Sequence, residues 1–421
     1  MSASPEAAVA APPWYRRLHW QIFAAMAVGA AAGAIGGEAL AERVAWLGSL
    51  FVRLLRMVIV PLVLTSVVSG VASIGAGRDV GRLFGKTFAW YLSTSLLAIL
   101  VGLLFTNVIR PGDGARIAAV GAGPLPEIQT PESLADLLLG LVPTNPLQAG
   151  ASGDILGLIV FSILLGVAVG RLADGPRVHL LGVFEAAFQA MMVLTGGIIR
   201  LAPLGVFGLI ANAVGTAGLA SFQALGWYAL TVASGLATHL LVVLPLLLLL
   251  AGGIRPRVHF RNMAEPLAMA FSTSSSAATL PVTIRAVEQR AGVSNRISSF
   301  VLPMGATINM DGTALYECAG VLFIAQVLGV DLSVTQQFVV VLTALLASIG
   351  TAAIPSAGLV MIFIVLEAVD LRGPQVDVVV GAMLAVDRPI DMARTAVNVF
   401  SDTCGAVVIA RTEGESGVDA A

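Results

Sequence analysis

The sequence predicts an all-α polytopic membrane protein, and three observations lead there. Of its 421 residues 57% are hydrophobic and only 11% are charged, with a mean hydropathy of +0.92. That is far too little charge to coat a soluble globule of this length. The apolar residues run on for helix lengths and aromatics make up 6%, whereas an outer-membrane barrel needs strands of roughly ten alternating residues. Third, one such run carries a polar stripe. Between Ala385 and Ala410 stand Asp387, Asp391, Arg394, Thr395, Asn398 and Asp402, advancing by 4, 3, 1, 3 and 4 residues. At about 100° per residue they share one helix face. A charge at the bilayer centre costs roughly 3 kcal/mol or more, so such residues face a protein interior or a cavity and mark a substrate or ion path. A buried structural ion-pair network is the alternative.

Taken in order, Met1 to Pro13 is an Ala/Pro/Ser stretch, and residues 1–16 read as a disordered tail. Ala30 to Ala34 has the small residues of a cleavage region, but the polytopic chain that follows favours an uncleaved first span. Spans are expected at 20–38, 47–73, 84–109, 152–171, 181–214 and 224–252. Arg16, Arg17, Arg78, Arg82, Lys86, Arg171, Arg177, Arg255, Arg257 and Arg261 then fall on one side, against Arg43, Arg110 and Arg116 on the other. The N-terminus is therefore expected inside, and the long excursion from Pro111 to Leu147 outside. The net charge of −2 offers nothing to a polyanion, so no nucleic-acid partner is expected. Cys318 and Cys404 lie in apolar segments and read as core.

After residue 260 simple spans no longer explain the pattern. An apolar piece reaches Ser272-Thr273-Ser274-Ser275-Ser276, continues through Leu280-Pro281 and returns to Arg285, Arg290 and Arg296. A second runs from Phe338 to Ser348, Gly350 and Thr351, passes Pro355 and Gly358, and returns through Leu366 to Asp370. The first has basic ends and enters from the cytoplasm; the second has none and enters from outside. Their tips resemble each other, Ser276-Ala277-Ala278-Thr279-Leu280-Pro281 against Gly350-Thr351-Ala352-Ala353-Ile354-Pro355. Each precedes a span with a polar motif: Asn309-Met310-Asp311-Gly312-Thr313, then the stripe. This is the pattern of inverted repeats whose broken hairpins meet at a central site. Two ordinary spans kinked at Pro281 and Pro355 are the simpler alternative.

Met57-Val58-Ile59-Val60-Pro61-Leu62-Val63, Pro143-Thr144-Asn145-Pro146, Ala202-Pro203-Leu204-Gly205-Val206-Phe207, Thr279-Leu280-Pro281-Val282-Thr283, Asn309-Met310-Asp311-Gly312-Thr313 and Asp391-Met392-Ala393-Arg394-Thr395 together resemble the dicarboxylate/amino acid:cation symporter family, over about residues 20 to 411. The resemblance implies eight transmembrane helices, two re-entrant hairpins and an elevator-type homotrimer. It also implies a single transporter unit over 17–411, with a scaffold mainly from 17–80 and 132–213. A transport domain, mainly 84–131 and 224–411, slides along it, and 412–421 is expected as a disordered tail.

The substrate expected on this reading is glutamate or aspartate. Arg394 suits a side-chain carboxylate because its planar fork pairs one bidentately, and Asp391 suits the ammonium. By resemblance, Thr395 and Asn398 bind the substrate's main-chain groups, and Ser274, Ser276, Met310, Thr313, Ile354 and Gly358 complete the pocket. Ser-rich tips also satisfy their own backbone. Archaeal relatives carry Arg at the place of Ser274, and animal relatives carry one at the place of Met392. Arg388, three residues before Asp391, is spaced to pair Asp387 or Asp391 instead.

Sodium ions are the expected coupling ions, with no organic cofactor. Asp402 with backbone oxygens near Gly305, Asn309 and Asn398 resembles one ion site; Thr307, Ser348, Ile349 and Thr351 resemble a second; Tyr91, Thr94 and Ser95 with Asn309 and Asp311 resemble a third. Tyr91, Thr94 and Ser95 alone also fit a polar helix face packed on a neighbour. Glu317 matches the position of a proton-coupling Glu in animal relatives, and a permanently protonated structural carboxyl is its alternative. A proton-coupled C4-dicarboxylate symporter, an anion channel and an intramembrane protease are the rival functions. The protease lacks its Gly-x-Gly-Asp segment, and His239 is the only histidine well inside a span. Membrane lipids surround such a chain, and the bacterial cytoplasmic (inner) membrane, with both termini inside, is its expected location.

Overall fold

The computed structural model describes residues 18–72, 78–115, 142–152, 155–217, 221–349 and 357–419, and among these every regular element is helical. The first is α1, Leu18–Ala72, helical on both sides of Gly37. Gly37 sits at φ 56° and ψ −153°, so the helix turns there where a side chain would be strained. Spans were expected at 20–38 and 47–73 with a loop between, but Glu38 to Trp46 is helical. That stretch holds no Pro or Gly and is built from Ala, Leu, Glu and Arg, which favour helix.

Next come α2 (Arg78–Ile109), α3 (Pro146–Ser152), α4 (Ile155–Gly170), α5 (Asp174–Ile199) and α6 (Ala202–Ala217). The expected span 181–214 is thus two helices that part at Leu201. Pro203 lies in the first turn of α6, where its missing N–H costs nothing. Both arms of α1 pack on α6 at very short range. A Cβ on Gly33 would stand 2.5 Å from the Ala211 carbonyl oxygen, and one on Gly208 would stand 2.8 Å from that of Val44. Small residues that let backbones approach are how membrane helices gain packing without a hydrophobic drive.

The helix α7 (Ser221–Thr238) runs through a five-residue π turn, His239–Val243, into α8 (Leu244–Gly252). A short α9 (Pro256–Asn262) leads into the first hairpin, α10 (Ala264–Thr273) and α11 (Ser276–Gln289). Ser274 makes the reversal in the left-handed region (φ 52°, ψ 38°), and the Ser275 hydroxyl caps α11 by accepting from Ala278 N. Pro281 lies inside α11. After it, α12 (Asn295–Ile308) and α13 (Asp311–Val327) are separated by two non-helical residues, Asn309 and Met310. The second pair, α14 (Val334–Ile349) and α15 (Ala357–Ala368), pack on each other, and the tip expected between them lies outside the described residues.

The stripe belongs to α16, Pro374–Thr412, which at 39 residues extends about 58 Å and exceeds a bilayer core. Four stretches are long and apolar enough to cross a membrane by length and composition: Trp20–Phe51, Arg82–Ile109, Asp174–Ile198 and Gln223–Gly252. The central part of α16 carries Asp387, Arg388, Asp391, Arg394 and Asp402, which is why composition alone does not single it out. Residues 413–419, expected to be disordered, fold back on the end of α16 and bury Val418.

Candidate functional site

Two interruptions of helix converge on α16. Among the described residues these are the tip at Ser274 and the Asn309-Met310 break, and the start of α15 joins them, since α10, α11, α12, α13 and α15 all pack on α16. Its polar face is buried throughout: Asp387, Asp391, Arg394, Thr395, Asn398 and Asp402 are each 6% exposed or less. The period read from the sequence therefore corresponds to one solvent-hidden stripe.

Midway along it, Arg394 Nη2 lies 2.5 Å from Asp391 Oδ1 and 3.8 Å from Asp387 Oδ1. The guanidinium carbon stands 4.1 Å from the Tyr316 ring centroid, a cation–π arrangement. Gly358 at the start of α15 is close enough that a Cβ there would be 2.0 Å from Arg394 Nη1. Arg394 Nε and Nη1 have no acceptor among the described residues. Buried donors rarely go unpaired, so part of a planar fork remains free to bind an anion. Arg388 Nη1 reaches Asp391 Oδ2 at 3.1 Å, so Asp391 lies between two guanidinium groups. Thr395 donates to the Asp391 carbonyl at 2.9 Å.

One turn further on, Asn398 clamps the start of α13. Its Oδ1 accepts from Gly312 N at 2.7 Å, and its Nδ2 reaches Thr313 Oγ1 at 3.3 Å and Met310 Sδ at 3.2 Å. Hence Met310, Thr313 and Asn398 are brought together, with Thr395 on the same face of α16. Ser274 and Ser276 are buried at the first tip, and the Ser274 hydroxyl has no partner among the described residues. Ile354 lies outside the described residues.

The oxygen-rich part of the stripe surrounds the Asn309 break. Asn309 Nδ2 donates to Asp402 Oδ1 at 2.9 Å and to Ser401 Oγ at 3.0 Å. Gly305 is so near that a Cβ would meet Asp402 Oδ1 at 2.4 Å and the Tyr91 hydroxyl at 2.7 Å. Tyr91 itself donates to the Val301 carbonyl at 2.7 Å. Asp311 Oδ1 accepts from Ser95 at 2.7 Å and Thr94 at 3.2 Å, and Thr94 Oγ1 also lies 3.4 Å from Asn309 Oδ1. Carboxylate, amide, hydroxyl and carbonyl oxygens are thus gathered from α2, α12, α13 and α16. Oxygen donors of this kind suit a hard cation. Of the remaining expected set, Thr307 is exposed and its hydroxyl bonds back to Met304 at 3.0 Å. Ser348 bonds back to Leu345 at 2.8 Å; Ile349 is half-buried, and Thr351 lies outside the described residues.

Glu317 is fully buried on α13, and neither carboxyl oxygen has a hydrogen-bond partner among the described residues. It follows Tyr316, whose ring carries Arg394, and Tyr228 stacks nearby on Phe323 at 4.6 Å. Sequence reasoning missed one member of the ion cluster. His239, at the start of the π turn, is fully buried with Nε2 3.1 Å from Asp311 Oδ2. A lone histidine in an apolar span was the only signal, and the π turn that aims it cannot be read from residue types.

The sequence signature of the Sodium:dicarboxylate symporter family matches residues 18–412. A proton/sodium-glutamate symport protein of Bacillus subtilis (strain 168) is 34% identical over 402 residues, covering 94% of this chain and 92% of the relative. Excitatory amino acid transporter 3 of Mus musculus is 34% identical over 412 residues, covering 86% and 78%. An excitatory amino acid transporter of Caenorhabditis elegans is 36% identical over 408 residues, covering 86% and 80%. With its described helices, its broken segments and this match over nearly its whole length, the chain belongs to the sodium:dicarboxylate symporter family.

Proposed function

We propose that the protein is a secondary active symporter that takes up glutamate or aspartate together with sodium. The observation that carries the reading is Arg394, a buried guanidinium whose Nε and Nη1 have no acceptor among the described residues, beside the carboxylate of Asp391. The free part of the fork takes the substrate's side-chain carboxylate, and Asp391 takes its ammonium. Thr395, Asn398 and the hairpin tips, with Ser274, Ser276, Thr313, Ile354 and Gly358, hold the α-carboxylate and amine.

Sodium is the co-transported cation. One ion uses Asp402 with oxygens at Gly305, Asn309 and Asn398, and another uses Asp311 with Tyr91, Thr94, Ser95 and Asn309. A further ion uses Thr307, Ser348, Ile349 and Thr351. The Bacillus subtilis relative, whose name pairs glutamate with both sodium and the proton, supports this. Glu317 is our candidate for that proton, because a buried carboxyl with no hydrogen-bond partner among the described residues suits a group that carries one. The same residue favours the second reading, a proton-coupled C4-dicarboxylate symporter.

Three copies of the chain, each with its own site, are proposed to assemble through the scaffold of 17–80 and 132–213, with 84–131 and 224–411 moving as the transport domain. The many apolar side chains exposed on α5, such as Val178, Val183 and Val193, leave that helix to lipid or to a second copy. Both termini are proposed to lie on the cytoplasmic side of a bacterial inner membrane, and the distribution of basic residues supports that side.

The test is calorimetric binding of aspartate, glutamate, succinate and alanine to the purified protein, with and without sodium chloride. Tight binding of aspartate or glutamate only in sodium is the expected result. Preference for succinate, or binding indifferent to sodium, rejects the reading.

A further inference from the structure

Residues 413–419 make contacts that the transport chemistry does not require. Glu413 pairs Arg82 at 2.8 Å and Lys86 at 2.6 Å, both on α2. Glu415 accepts from Ser294 N at 3.0 Å and from the Ser294 hydroxyl, at the entry to α12. Val418 is fully buried in an apolar cluster with Met263, Val287, Ile297 and Phe400. Asp419 is the most heavily bonded. Its N donates to the Ala291 carbonyl at 2.7 Å, its Oδ1 accepts from Asn262 at 2.7 Å, and its Oδ2 lies 2.6 Å from His259 Nδ1. The other ring nitrogen of His259 reaches Thr403 Oγ1 on α16 at 3.0 Å, and the ring leans on Phe400 at 5.3 Å between centroids.

The groups that Asp419 gathers belong to both legs of the first hairpin. His259 and Asn262 lie on α9, just before α10, and Ala291 lies just after α11. Asp419 therefore bridges the two ends of the hairpin, its buried carboxylate on the α9 side and its backbone N–H on the Ala291 side, and His259 carries the carboxylate's bond through to α16, one residue beyond Asp402. A buried ion pair or charge-assisted hydrogen bond tolerates little change in geometry, and removing one partner leaves the other stranded.

We propose that residues 413–419 are a strap holding the base of the first hairpin against α16, with Asp419 as a positioning residue that acts through His259. The strap sets how freely the hairpin hinges away from the polar stripe. Its consequence for transport rests on the proposed function, in which a substrate held by Ser274 and Ser276 leaves only when that hairpin moves.

The test is hydrogen–deuterium exchange of the full chain in nanodiscs without substrate, so its outcome does not depend on what is transported. In Asp419→Ala, amides in 256–294 should exchange about tenfold faster while α1 and α6 keep their protection, because only a local opening has become easier. His259→Ala should do the same, and Asp419→Asn, which keeps an acceptor for Asn262, should recover part of the protection. Should Asp419→Ala not fold, the outer pair Glu413→Gln and Glu415→Gln provides the same comparison at half-buried positions. Unchanged exchange over 256–294, or an equal rise throughout the chain, overturns the strap.

Discussion

Arg394 carries two buried nitrogens, Nε and Nη1, that no group among the described residues accepts, while its third nitrogen holds Asp391 at 2.5 Å. In Arg394→Cys a substrate carboxylate loses its partner, and truncating one side of a buried charge pair costs about 2–5 kcal/mol, or roughly thirtyfold or more in affinity. Binding of aspartate and glutamate to the folded variant, measured by calorimetry, should fall by that much, with Asp391 still able to hold the ammonium of a neutral amino acid. Unchanged affinity would show that Arg394 is structural. At Glu317, the Gln variant retains the shape of a protonated carboxyl but cannot release a proton. Exchange of internal for external substrate should persist, net uptake should fall and its pH dependence should flatten. Wild-type net uptake with an unaltered pH profile would make this carboxyl purely structural. The stripe residues were legible because a helix face repeats every three or four residues. His239 was not, because its approach to Asp311 depends on a π turn, and the pairing of Arg388 with Asp391 was legible only as a spacing.

Among the elements, the seam between α1 and α6 combines close backbone approach with side-chain packing such as Phe51 on Gly205. Gly33→Leu places a side chain where even a Cβ meets the Ala211 carbonyl at 2.5 Å, so the two helices must part. Overpacking of this kind costs roughly 1–3 kcal/mol or more, and thermal unfolding should come several degrees earlier, whereas Gly37→Ala tests the positive φ alone. Glu413 gives the strap a pH dependence. The hydrogen bond from Lys86 holds its carboxyl below the usual carboxylate range, burial opposes this, and Arg82 adds to the lowering. A group with a depressed folded pKa contributes stability above its unfolded pKa and loses it as pH falls through the folded value. The stability difference between the wild type and Glu413→Gln should therefore be present at neutral pH and vanish in acid below the ordinary carboxylate range. A difference that persists there would mean that the Lys86 and Arg82 contacts contribute nothing through charge. Apolar runs and Ser-rich tips were readable because both are local. The helix across Glu38 to Trp46, the break at Leu201 and the strap were not, since a kink at one glycine, a restart at Pro203 and contacts spanning more than a hundred residues leave no periodic trace.

For the whole molecule, the proposed assembly of three copies predicts that the protein purified in mild detergent is a trimer by native mass spectrometry, and a monomer would contradict it. The proposed sites predict coupling, because Asp402, which accepts from Asn309, and Arg394 lie on the same face of α16. On that proposal a cation at Asn309 and Asp402 bears on the break where Thr313 and Met310 meet Asn398. The most direct measurement is uptake of labelled aspartate and glutamate into proteoliposomes under an imposed sodium gradient or, separately, an imposed proton gradient. An inward sodium gradient should drive accumulation above equilibrium, and a proton gradient without sodium should not. Accumulation driven by protons alone and indifferent to sodium would contradict sodium-coupled transport of an acidic amino acid.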